Sequence, residues 1–147
     1  MSLEPYFSTR SGKAYLSSIE DFLASRSAKN LKGKVNLIFT SPPFPLVNPK
    51  KYGNMQGIEY LNWMSNLAIG LSELLAGDGS LVVEIGNAWN SKMPTMSTLP
   101  LETLMSIAKS ADLNICQQMI WNNPGKLPGP ATYVNMKRER ITDSFTH

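Results

Sequence analysis

The stretch KGKVNLIFT, residues 32–40, constrains the fold more than any other part of the chain. Val35, Leu37, Ile38 and Phe39 make it nearly continuous in apolar character. A strand with one wet face alternates apolar and polar residues. A near-unbroken apolar run instead marks a strand buried on both faces, as in a parallel sheet covered by helices. The chain then stops abruptly on Ser41-Pro42-Pro43-Phe44. Proline has no N–H to give a ladder, so a strand ending there is expected on elementary grounds.

The flanking segments supply the rest of an α/β pattern. GKAYLSSIEDFLAS (12–25) predicts a short strand around Lys13–Leu16, then a helix capped by Ser17 or Ser18, with Glu20 or Asp21 placed to complete a capping box. Beyond a polar loop through Pro49, Lys50, Lys51, Tyr52 and Gly53, a long helix is predicted from about Ile58 to Leu75. Tyr60, Met64, Leu67, Leu71 and Leu74 recur at helical spacing and form its buried face. Gly77 and Gly79 are expected to stop it, and SLVVEIG (80–86) follows as a third strand. A helix near Pro100–Ala111 would bury Leu101, Leu104, Met105 and Ala108, and ICQQMIW (115–121) would be a fourth strand. Strand and helix alternate throughout, which is the signature of an α/β sheet with right-handed crossovers. The 147 residues suit one domain, residues 1–147, with no repeat and no low-complexity linker.

Composition narrows the functional class. No apolar run approaches the ~20 residues that span a membrane, and the single cysteine, Cys116, cannot form an intrachain disulfide. A reducing cytoplasmic compartment is therefore expected. Within the predicted fourth strand Cys116 reads as a core thiol, and Trp121 as core packing. The net charge is +3, but Lys126, Lys137, Arg138 and Arg140 face only Glu139 and Asp143 near the end of the chain. Such a cluster suits either a phosphate backbone or plain solvent. No metal-ligand set is assigned, and His147 is given no role.

Ligands of open α/β sheets bind outside the carboxyl ends of the strands, and two sequence oddities fall there. One is the Ser41–Phe44 corner. The other is Glu84, with Asn87, at the close of an otherwise apolar strand. A carboxylate in such a strand is costly to bury unless it is paired. The corner presents carbonyls fixed by proline, a serine hydroxyl and a flat aromatic face. Carbonyls and hydroxyls accept hydrogen bonds from an exocyclic amino group, and an aromatic ring stacks on the base that carries it. That set suits a nucleobase taken out of its duplex.

TSPPF (40–44) resembles the catalytic motif of amino-methylating DNA methyltransferases, which reads Ser, Asp or Asn, then Pro-Pro, then Tyr or Phe. Serine in first place is typical of cytosine-N4 enzymes, and Asp or Asn more often marks adenine-N6 enzymes. GKAYLSSIEDFL, TSPPFPLVNPKKYGN, GSLVVEIGNAW and WNNPGKLPGPATYVNMKRERITDSF look, in that order, like successive blocks of the permuted (beta-group, PvuII-like) cytosine-N4 DNA methyltransferases.

The resemblance implies a partial Rossmann-like methyltransferase sheet with helices on both faces. It implies methyl transfer from S-adenosylmethionine to the N4 of a flipped-out cytosine in DNA, in a restriction-modification setting. Ser41, Pro42, Pro43 and Phe44 would form the catalytic corner, with Glu84 either polarising Ser41 or offsetting charge on the base amine, the alternative being a structural carboxylate hydrogen-bonded to a loop. Ser18 and Thr40 would line the cofactor, and Lys126, Lys137, Arg138 and Arg140 would meet the DNA backbone.

Two departures from the family pattern stand out. The glycine-rich Phe-x-Gly-x-Gly turn that holds the methionine part of the cofactor is not found among the 147 residues, and Ser17-Ser18 stands where relatives often show Gly-Asp. The family sheet order would then leave the NLIFT strand with a bare apolar edge. The expectation is a truncated or split enzyme, inactive alone, that needs a complementing half and self-associates through that edge. The alternatives are an adenine-N6 enzyme, a non-catalytic DNA-binding module, or a purely structural α/β subunit.

Overall fold

A computed structural model describes residues 3–44, 55–86, 90 and 95–120. Along the chain run β1 (Phe7–Ser8), β2 (Lys13–Ala14), α1 (Ile19–Ala24), α2 (Arg26–Leu31), β3 (Val35–Thr40), α3 (Gly57–Ser72), β4 (Leu75–Val83) and α4 (Leu99–Ser110). The described part is mixed α/β. β3 and β4 pair in parallel, and β1 and β2 form a separate antiparallel hairpin. The strand expected around Lys13–Leu16 is thus a hairpin arm rather than a member of the parallel sheet.

Ser18 caps α1, its hydroxyl accepting from the N–H of Asp21 at 3.1 Å. Ser25 then ends α1 and begins α2 in one residue. It is fully buried, and its hydroxyl accepts from Ala28 N–H at 3.2 Å. This second short helix lacks an apolar stripe long enough to show in the sequence.

The core lies between α3, α4 and one face of the β3–β4 pair. Tyr60, Met64, Leu67, Leu71 and Leu74 are all buried, as their helical spacing predicts. Burying each such side chain contributes about 1.5–3 kcal/mol. α3 ends at Ser72, not at Leu75, because Leu74 turns back to meet the start of β3: Val35 N–H donates to Leu74 C=O at 3.0 Å. Gly77 and Gly79 therefore lie inside β4 rather than stopping a helix. Between the pairs Val35–Leu75 and Leu37–Ser80, β4 carries three more residues than β3, and the excess loops out. Gly79 makes that possible, since a Cβ there would lie 2.6 Å from the carbonyl of Val35.

Four further expectations are corrected. First, β3 is not buried on both faces. Ile38 packs on the core, but Leu37 is 59% and Phe39 68% exposed, because no described element covers their side of the sheet. Second, α4 buries Leu99, Thr103 and Ile107, while Leu101 and Met105 are exposed. The stripe facing α3 is shared with polar contacts, including the hydroxyls of Ser65 and Ser106 at 2.6 Å, so the most apolar side is not the buried one. Third, residues 113–120 form no strand, since no described strand lies beside them. Fourth, Cys116 in that segment is exposed rather than a core thiol. Trp121 lies outside the described residues.

α1 lies along α3. The indole N–H of Trp63 donates to Glu20 Oε1 at 2.7 Å, and Leu23 reaches Gly70, where a Cβ would come within 2.9 Å of Leu23 Cδ1. No helix among the described residues is long and apolar enough to cross a membrane.

Candidate active site at the carboxyl ends of the parallel strands

The two oddities of the sequence meet at one end of the sheet. Thr40 pairs with Val83 as the last rung, and the N–H of Glu84 donates to Thr40 C=O at 2.9 Å. Ser41 and Glu84 are therefore the first residues beyond neighbouring strand ends, on strands about 4.8 Å apart. The ladder stops there because Pro42 and Pro43 offer no N–H. The C-terminal end of α3 abuts the start of β3. Its 16 residues make it about 24 Å long.

Within the corner, Ser41 and Pro43 are exposed, Pro42 is buried, and Phe44 is half-buried. Pro42 anchors the turn while its neighbours face outward. The ring of Phe44 lies against Gly86, three residues beyond the end of β4: a Cβ on Gly86 would stand 3.1 Å from Phe44 Cε2 and 3.2 Å from Cδ2. An exposed serine, a proline pair and an aromatic ring seated on Gly86 thus share one end of the sheet.

Glu84 differs from its expectation. It lies just past β4 and is exposed, so there is no burial cost for a partner to offset. Among the described residues no hydrogen bond links its side chain to Ser41. Thr40 is half-buried at the end of β3, with its carbonyl engaged by Glu84. Ser18 is exposed and its hydroxyl serves the cap of α1. These two residues alone do not make a site for S-adenosylmethionine, because one hydroxyl is engaged in capping and neither residue belongs to a glycine-rich turn. Lys126, Lys137, Arg138 and Arg140 lie outside the described residues, as does Asn87. Among the described residues no group of three or more His, Cys, Asp or Glu gathers to hold a metal.

One site residue, Gly86, was missed by sequence reasoning. Its only signal was a glycine two residues past the acid, and nothing local ties it to a ring more than 40 positions earlier.

This geometry falls within a known family. The DNA methylase family model matches residues 35–142, and the chain belongs to that family. It is similar to the Type II methyltransferase M.PvuII of Proteus hauseri, with 30% identity over 141 residues, 96% of this chain and 41% of that protein. A solved structure, the PvuII DNA methyltransferase (cytosine-N4-specific), superposes with a TM-score of 0.68 at 29% identity, over 97% of this chain and 49% of that one. The chain thus spans about half the length of the relatives it matches.

Proposed function

We propose that this chain supplies the base-binding part of a cytosine-N4 DNA methyltransferase. The observation that carries the proposal is the juxtaposition of the Ser41–Phe44 corner with the end of β4, held by the Glu84-to-Thr40 main-chain bond. The similarity to M.PvuII supports it.

The exocyclic amine of cytosine is a poor nucleophile because its lone pair is delocalised into the ring. Ser41 Oγ and a carbonyl of the Pro42–Pro43 corner accept its two N–H groups, turning the nitrogen toward tetrahedral geometry. Phe44 stacks on the ring. This is catalysis by orientation and by stabilisation of the positive charge that develops on nitrogen. The proton released from the amine has an exit to solvent past the exposed Ser41. Glu84, in water beside the corner, offsets that charge at short range. No covalent enzyme intermediate is required, and Cys116 takes no part. When bound, S-adenosylmethionine would supply the methyl group and leave as S-adenosylhomocysteine, with Thr40 and Ser18 at the margin of its site.

In the same proposal the permuted family order holds. The 147 residues form the N-terminal, catalytic-motif part of one methyltransferase domain, and the glycine-rich turn comes from a complementing segment. Lys126, Lys137, Arg138 and Arg140 meet DNA phosphates, which gives affinity without sequence choice. The setting is restriction-modification in the cytoplasm. Among the described strands β3 pairs with β4 alone, and its open edge makes the isolated chain self-associate.

Two measurements test this. Calorimetric titration with S-adenosylmethionine should show no binding by the chain alone. Micromolar binding would overturn the assignment of the cofactor turn to another segment. With the complementing segment supplied, methylated DNA should yield N4-methylcytosine on nucleoside analysis, and Ser41→Ala should slow transfer by about 10²-fold. Recovery of N6-methyladenine would assign the adenine class instead. DNA binding without methyl transfer would mark a non-catalytic module.

A further inference from the structure

We propose that Gly86 is a positioning residue: its bare Cα is the seat that holds the Phe44 ring at the angle from which it stacks on the target base. The inference rests on the base-binding role proposed above.

The ring lies so close to Gly86 that a side chain there would have to push it aside. A Cβ there would be 3.1 Å from Cε2, 3.2 Å from Cδ2 and 3.7 Å from Cζ of Phe44. Carbon atoms settle at about 3.5–4.0 Å, so even a methyl group displaces the ring by a few tenths of an ångström. Backbone conformation does not explain the glycine. Gly33 and Gly57 adopt positive φ, at 70° and 52°, which favours glycine, whereas Gly86 does not. What glycine provides at position 86 is the space the ring occupies.

Seat and ring also belong to one frame. The N–H of Glu84 on Thr40 C=O fixes the end of β4 to the end of β3. Pro42 and Pro43, each with φ held near −65°, then carry the chain stiffly to Phe44. The ring is half-buried, and Gly86 lies against part of it. A stacking platform is useful only when its tilt is fixed, because an amine misplaced by about 1 Å loses much of the benefit of orientation.

The test uses the full chain with phenylalanine labelled on the ring, and deoxycytidine 5′-monophosphate as the probe. In the unsubstituted chain the Gly86 α-protons should be shifted by the ring current of Phe44, and the shift should vanish in Phe44→Leu. This readout needs no variant at position 86. Titration with the nucleotide should move the Phe44 ring signals to saturation. Affinity should fall several-fold in Gly86→Ala, further in Gly86→Val, and about tenfold in Phe44→Leu, the scale of one base–aromatic stack.

The decisive comparison is Gly86→Ala in the Phe44→Leu background. No further loss there supports the seat. An equal further loss means Gly86 acts on the fold and not through the ring, and overturns the inference. Unchanged affinity in Gly86→Ala overturns it as well, while leaving the base-binding proposal intact. No response of the Phe44 signals in the unsubstituted chain overturns the base-binding proposal and this inference together.

Discussion

The amide of Glu84 donates to the carbonyl of Thr40 at 2.9 Å, one step beyond the last paired residues of the two parallel strands. Through that bond the ends of β3 and β4 become a single platform, on which Ser41 faces solvent and Phe44 rests on Gly86.

The main chain of Glu84, not its carboxylate, carries the structural role. Glu84→Gln should unfold within about 0.5 kcal/mol of the parent, as expected for an exposed side chain. Glu84→Pro removes the N–H, leaves Thr40 C=O without that donor, and should cost about 1–3 kcal/mol. Urea denaturation of both variants checks the contrast.

Tyr60 places a hydroxyl in the core without a hydrogen-bond partner among the described residues, and burial pushes its pKa up to about 12. Tyr60→Phe should be neutral or stabilising by about 1 kcal/mol, because an unpaired polar group is removed at nearly constant shape. The neutral phenol is favoured in the folded state, so its contribution is fully present below pH 10. It is lost as the pH rises from 10 towards 12, where only the unfolded chain has released the proton. The stability of the parent should therefore fall more steeply than that of Tyr60→Phe across that window, read from denaturation midpoints at each pH.

Two serines cap helices in different surroundings. Ser25 is fully buried between α1 and α2, and Ser18 is exposed at the start of α1. Ser25→Ala should cost about 1–2 kcal/mol and Ser18→Ala about 0.5–1 kcal/mol, and Ser18→Asp should retain the cap. Thermal melts of the three variants test the ranking. A loss much larger than this in Ser18→Ala would show a role beyond capping.

Phe39 is 68% exposed on the uncovered face of β3, beside Leu37 at 59%. A lysine on an edge strand such as β3 discourages pairing with another chain without touching the core. Phe39→Lys should leave the denaturation midpoint within about 0.5 kcal/mol of the parent and lower the weight-average mass in sedimentation at high protein concentration. A parent chain that is monomeric at every concentration would remove the basis for self-association.

Gly79 lies where β4 loops away from β3. A methyl group there would meet the carbonyl of Val35 at 2.6 Å, and main chain cannot step aside as a side chain can. Gly79→Ala should destabilise by about 1–3 kcal/mol, the usual cost of overpacking, and should disturb amide exchange at Val35 before that at Thr40.

What the sequence by itself determined is local. The apolar run of β3, the helical spacing of α3, the Ser18 cap and the proline stop after Thr40 all follow from covalent geometry, propensity and one-sided periodicity within a few residues. The Ser-Pro-Pro-Phe corner was legible for the same reason, since its chemistry is contiguous. Coverage and adjacency were decided only by the tertiary structure. Whether Leu37 and Phe39 are covered depends on what packs above them, and which stripe of α4 is buried depends on the shape of α3. The segment holding Cys116 has strand-like composition but no described strand beside it, and without a partner its backbone gains no ladder. The meeting of Phe44 with Gly86 and of Thr40 with Glu84 arises because two parallel strands separated by a whole helix are brought into register. That register is set by packing energies summed over the core, which no short stretch of sequence contains.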